Sequence, residues 1–230
     1  GYDIFSINTR DHDTIARAAK KHRKRKLLGT ALEKFEESVY DAKASVDVCQ
    51  SLGYKKIILL GHSTGCQKGA YYMYKTKDKR ITALVLLAPS DDYNYQRKKL
   101  KNKWQNISRK AEVLNKTKKK DNLLVELLPD EIMSAQRFNS VASTKRIETR
   151  LFNYDGSLKE FSSIKIPILA VFGSRDFSLV KPAKTYLNIL ENKTKSIKFN
   201  KIIIKNANHT FPRYENQLTN KVIYWLNEVT

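Results

Sequence analysis

Apolar residues recur along this chain at two spacings, and the two alternate. Near-continuous apolar runs at residues 57–60 (IILL), 81–88 (ITALVLLA) and 167–172 (PILAVF) read as short strands buried on both faces, and 201–205 (KIIIK) reads as a fourth. Between them, apolar positions step by three or four. Leu32, Phe35, Val39, Ala42, Val46 and Cys49 define one amphipathic helix, which Thr30 and Glu33 would open as a capping box and Gly53 would close. Ala70, Tyr71 and Met73 mark a second helix, residues 182–190 a third, and Leu218, Val222, Trp225, Leu226 and Val229 the apolar face of a closing one. Residues 2–8 (YDIFSIN) read as a further strand. Strands alternating with helices predict an α/β fold with a doubly wound, mostly parallel sheet.

The alternation lapses between about residues 90 and 159. Leu100, Trp104, Ile107, Ala111 and Leu114 are spaced for a helix there, and 123–128 and 130–138 suggest further helical pieces. This predicts a core split as 1–90 and 160–230, with 91–159 inserted as a helical cap over the sheet edge.

Charge adds a second feature. The formal net charge is +21, and most of it comes from two blocks. Residues 17–26 hold seven basic side chains and no acid; residues 97–120 hold eleven against one acid, Glu112. Such blocks fit a solvated lysine-rich surface, or a face that attracts nucleic acid, an anionic membrane or an acidic substrate. Two cysteines, Cys49 and Cys66, are too few for a disulfide framework and fit a cytoplasmic protein. No apolar run approaches the ~18 residues of a membrane helix.

Candidate chemistry centres on the end of the 57–60 strand. There the chain reads Gly61-His62-Ser63-Thr64-Gly65 and passes straight into a helix. Strand, Gly-X-Ser-X-Gly, helix is a nucleophile elbow, a sharp turn that presents the serine hydroxyl. The strained turn explains glycines at 61 and 65, where strand and helix pass closely. A serine needs a base, and a base needs an orienting acid. In this architecture the order is Ser, acid, His. Of four histidines, His12, His22, His62 and His209, only His209 follows Ser63 by more than a turn. It lies in the loop leaving the 201–205 strand, at the carboxyl edge where parallel-sheet sites form. Seven aspartates lie between Ser63 and His209. Asp176, four residues past the 167–172 strand, is the best placed; Asp91 and Asp92, after the 81–88 strand, are the alternatives.

Together GHSTG, FGSRD and NANHTF, in this order and spacing, resemble the α/β-hydrolase superfamily. More narrowly, GHSTGCQ followed by LLAPSDD is similar to a poorly characterised group of serine hydrolases that includes fungal siderophore esterases. The resemblance implies a hydrolase cleaving an ester, thioester or amide through an acyl-enzyme. Ser63 would be the nucleophile, His209 the base and Asp176 its partner, with the Thr64 N–H as one oxyanion donor and no cofactor or metal. Residues 2–8 correspond to the family's fourth strand. The resemblance therefore implies that the first three strands, and the loop bearing the second oxyanion donor, lie upstream of Gly1. The sheet would then have a central gap, or an unusual pairing of 2–8 with 57–60. The substrate would be a small acyl compound, anionic if both basic blocks flank the pocket. An alternative of another class is a catalytically weak hydrolase-fold module that holds nucleic acid or an anionic surface through those blocks. Against it, all three catalytic positions carry the required residue types and no nucleic-acid-binding motif is present.

Overall fold

The computed structural model describes residues 1–19 and 25–230. In chain order, β1 (Ala16–Ala19) and β2 (Arg25–Leu28) form an antiparallel pair, followed by 3-10 turns at Thr30–Leu32 and Phe35–Glu37 and by α1 (Ser38–Ser51). Then β3 (Ile57–His62), α2 (Thr64–Thr76) and β4 (Ile81–Leu87) alternate. Five helices then follow without an intervening strand: α3 (Asp92–Leu100), α4 (Trp104–Asn115), α5 (Ala135–Ala142), α6 (Ile147–Phe152) and α7 (Lys159–Ser162). Alternation resumes with β5 (Ile168–Gly173), α8 (Ala183–Lys193), β6 (Phe199–Ile204) and α9 (Glu215–Val229).

β3 to β6 form one sheet in sequential order, every pair parallel. This is the α/β sheet that the alternation predicts. Burial follows position in the sheet. β5 is buried at all six residues and β4 at all but one, while β3 and β6 at the edges expose Leu60 and Ile203. The inner strands therefore need apolar residues on both faces, which is why they read as continuous runs. The main core joins these strands to α2, α6, α8 and α9. A separate apolar cluster lies between β4 and β5 in the chain, where Trp104, Ile107 and Ala111 of α4 pack against Leu124, Leu128 and Phe138. These α4 residues are the face predicted from spacing.

Several expectations are corrected. Residues 2–8 form no strand. Among the described residues β3 pairs only with β4, so the 2–8 segment has no ladder partner, and Ile4 and Phe5 are exposed. Neither a central gap nor a pairing of 2–8 with β3 is present. The basic block at 17–26, expected as a loop, contributes to the β1–β2 hairpin; residues 20–24 of it, with His22, lie outside the described residues. The capping box at Thr30 does not form. Thr30 Oγ1 donates to the Asp13 carbonyl and Glu33 ion-pairs with Lys68 and Arg137, so tertiary partners take both side chains and the helix starts at Ser38. Its end holds as expected, with Gly53 at φ +90° just past the helix. Residues 123–128 are turns, with one bridge from Leu123 to Ser134, and the helix expected over 130–138 begins only at Ala135, where the Ser134 hydroxyl accepts from Arg137 N–H.

Candidate active site

Ser63 sits between β3 and α2 with φ +54° and ψ −126°, a conformation that a non-glycine residue adopts only under constraint. The constraint is visible. Ser63 N–H donates to the Leu87 carbonyl on the neighbouring strand at 2.9 Å, and its own carbonyl accepts from Cys66 N–H at 2.8 Å. Gly61 permits the turn: a Cβ there would lie 2.3 Å from the Gly65 carbonyl oxygen. Gly65 is different, since a Cβ at that position meets open space. The steric need therefore falls on Gly61 alone, and the expectation for Gly65 is corrected. Thr64 is the first residue of α2, so its N–H has no intrahelical acceptor and is free for a ligand. Cys66, three residues on, is no rival nucleophile. Its thiol is fully buried against the Gly61 and Leu87 carbonyls, and burial raises its pKa well above the ordinary value.

Asp176 and His209 come from the loops after β5 and β6. Gly173 lets these loops meet, because a Cβ there would be 2.4 Å from the Ala207 carbonyl oxygen. Arg175 N–H donates to that same carbonyl, and Asn206 N–H donates to Ser174 Oγ. So joined, the loops place His209 Nδ1 2.9 Å from both Asp176 carboxylate oxygens. Both residues are buried. Burial on its own would raise the pKa of Asp176, but the bonds from His209 and Ser178 outweigh it and hold the carboxyl below its usual range. It is thus an anion fixed against one imidazole nitrogen, which leaves His209 Nε2 free.

Ser178 is a member of this site that the sequence pattern did not single out. Its N–H and its hydroxyl both donate to Asp176 Oδ1, at 2.8 and 2.7 Å. His62 is another: its Nε2–H donates to the His209 carbonyl at 2.8 Å, tying the elbow to the histidine loop. The His62 and His209 rings lie 5.0 Å apart, and the exposed Phe177 ring is 5.0 Å from His209 on another side. Ser178 was signalled only by its place two residues after Asp176, the spacing of an Asx-type turn.

Asp176 and His209 are thus brought together, and Ser63 reaches them through His62. No hydrogen bond joins the Ser63 hydroxyl to the His209 ring. Asp91 caps α3, accepting from Asn94 N–H at 3.0 Å and from Tyr154 N–H at 3.1 Å. Asp92 faces α2, where it accepts from Gln67 Nε2. His12 pairs with Asp13 at the surface. Among the described residues no group of three or more His, Cys, Asp or Glu side chains is arranged to hold a metal, and no helix is long and apolar enough to cross a membrane. A cavity of about 420 Å³ lies beside the hairpin, between Arg10, Lys26, Leu28, Leu32 and Glu37, away from these three residues.

A sequential parallel sheet with a strained serine at one strand end and a His–Asp pair at two others is the α/β-hydrolase fold. Within it, the chain belongs to the family described as protein of unknown function (DUF1749), whose model matches residues 29–227. Among solved structures it is similar to a monoacylglycerol lipase of Paleococcus ferrophilus, with a TM-score of 0.56 and 18% identity over 87% of this chain and 77% of that one. A soluble variant of the Saccharomyces cerevisiae monoglyceride lipase, solved with a substrate analogue, gives 0.60 and 12% over 85% and 69%. Est1E of Butyrivibrio proteoclasticus gives 0.56 and 18% over 89% and 75%. No curated protein matches the sequence.

Proposed function

We propose that this chain is a serine hydrolase of carboxylic esters, with Ser63, His209 and Asp176 as its catalytic residues. The observation that carries the reading is the buried His209–Asp176 pair, at the same sheet edge as the strained Ser63. In the proposed reaction His209 Nε2 takes the hydroxyl proton as Ser63 Oγ attacks the acyl carbon. Asp176 holds the imidazole tautomer and offsets its charge, and the Thr64 N–H faces the developing oxyanion. Collapse of the intermediate breaks the ester bond, and His209 returns its proton to the departing alcohol. Water then repeats the sequence on the acyl-enzyme, releasing the acid and restoring Ser63. The Ser63–His209 hydrogen bond, open here, is of the kind that closes when substrate binds. Thioesters and amides would follow the same steps.

Substrate class is a finer part of the proposal. Residues 91–159 would form a cap, and most side chains at 97–103 are exposed, including the basic Arg97, Lys98, Lys101 and Lys103. These favour an anionic acyl substrate, and the resemblance of GHSTGCQ and LLAPSDD to siderophore esterases adds polar hydroxy-acid esters to the classes worth offering. The test is hydrolysis of a panel of neutral and anionic acyl esters by the wild type and by Ser63→Ala. The variant should lose on the order of 10⁴–10⁶ in kcat. Equal rates in the two proteins would overturn the assignment of Ser63; no preference for anionic esters would overturn the substrate class alone.

A further inference from the structure

Behind the elbow helix lies a small, partly open cavity, with apolar wall from Tyr93, Val141 and Phe152 and a polar side, that the proposed reaction does not use. Its polar side is formed by Gln67 of α2, Ser90 in the loop after β4, Asp92 at the start of α3, and Glu148 and Thr149 of α6. About 10 Å³ is open to the centre of a water-sized guest, which is room for one. Two acceptors on its wall have no partner: Gln67 Oε1, in a residue 1% exposed, and Glu148 Oε1, in a residue 2% exposed. Ser90 Oγ lies beside Asp92 without a closed hydrogen bond. Buried acceptors left this way are costly unless a ligand meets them.

The charges around the cavity do not balance. Glu148 pairs with Arg137 at 2.5 Å, and Arg137 also reaches Glu33 at 3.2 Å. Lys68 spans Glu33 and Asp11. Four carboxylates, counting Asp92, thus share two cationic side chains. Asp92 is the one left out, since its bond comes from the neutral Gln67 amide at 2.9 Å. Buried charges are ordinarily paired, neutralised or bound to an ion. A water molecule would meet the two free acceptors but add no charge. A proton on Asp92 would remove one of the two excess negative charges but serve a single acceptor. One guest that does both is a monovalent cation ringed by oxygens.

We propose that this cavity binds one monovalent cation through the Asp92 and Glu148 carboxylates, the Gln67 amide oxygen and Ser90 Oγ. Asp92 is only partly buried. Bound there, the ion would tie α2, which carries Gln67 one turn after Ser63, to the junction of β4 and α3 and to α6. The site is independent of the hydrolase reading.

The test is thermal unfolding of the full chain, prepared in choline chloride. Choline is replaced stepwise by sodium, potassium or ammonium at fixed ionic strength. The expected result is a saturable rise in Tm with at least one of these ions, and a half-saturating concentration raised tenfold or more in Asp92→Asn. Identical melting in choline and in all three ions would overturn the proposal and leave water or a proton as the occupant. So would a response whose half-saturation is unchanged in Asp92→Asn, because the ion would then sit elsewhere. If Asp92→Asn does not fold, Ser90→Ala takes its place with the same two readings: weakened binding supports the site, and unchanged binding overturns it.

Discussion

Asp176 and Asp91 begin from the same place in the architecture and end in opposite roles. Each follows a buried parallel strand, β5 or β4, at the carboxyl edge of the sheet, and each is 5% exposed or less. Asp176 accepts from an imidazole and a hydroxyl as well as a backbone N–H, and its pKa falls below the ordinary value despite burial. Around Asp91 burial dominates; its donors are two backbone N–H groups and the Asn94 amide, and its pKa rises. The comparison teaches that two aspartates at equivalent strand ends are told apart by the donors around them, one held against an imidazole and the other at a helix cap. The Asp91 carboxylate is directed at a helix cap and a loop N–H, and no histidine donates to it.

Breaking the Asp176 side should have the larger effect. Asp176→Asn keeps the shape but disturbs the His209 tautomer, and kcat should fall about 10⁴-fold with little change in KM. A variant that keeps full activity on its preferred ester would show that another acid orients His209. Ser178→Ala removes one charge-assisted bond to Asp176 Oδ1. A bond of this kind is worth roughly 1.5 kcal/mol, so kcat should drop about tenfold, with the acid limb of the pH–rate profile displaced because Asp176 is then held less firmly as an anion. An unmoved profile would mean that Ser178 serves only the turn.

Asp91→Ala should show the converse pattern. It loses the α3 cap and leaves the Tyr154 N–H without its acceptor, costing about 2–3 kcal/mol in urea unfolding, while the rate per folded molecule holds. The smallest difference is in pH dependence, and its sign separates the two residues. Asp176, depressed in the fold, contributes stability above the ordinary aspartate value of ~3.9, and that contribution is lost as pH falls through its lower folded value. Asp91, raised in the fold, favours folding while protonated and loses that contribution as pH climbs past ~3.9. Unfolding free energies between about pH 3 and 6 should therefore show the advantage of wild type over Asp176→Asn shrinking as pH drops, and that over Asp91→Asn growing. Parallel trends would contradict the contrast.

Much of this was legible in the sequence because it is written locally. The runs at 57–60, 81–88 and 167–172 encode strands whose burial leaves little choice, and the loops that follow them carry Ser63 and Asp176 at fixed offsets. What was not legible depends on partners far along the chain. Thr30 and Glu33 spell a capping box, yet Lys68 and Arg137 take Glu33. Residues 2–8 carry a strand pattern, but a strand also needs a neighbour, and β3 pairs with β4 alone. Symmetry in the motif suggested two obligatory glycines, whereas of these two only Gly61 would bring a Cβ against backbone. Gly173, which lets the His209 loop approach, sits in no such motif. Ser178 and His62 matter for what folding brings beside them.

The central claim is that Ser63 is the nucleophile and His209 its base. The most direct measurement is the mass of the intact protein after treatment with a fluorophosphonate, followed by mapping of the modified peptide. The prediction is one adduct, on Ser63, formed by the wild type, absent from Ser63→Ala and strongly slowed in His209→Ala. An adduct on any other residue, or labelling of Ser63→Ala at the wild-type rate, would contradict it.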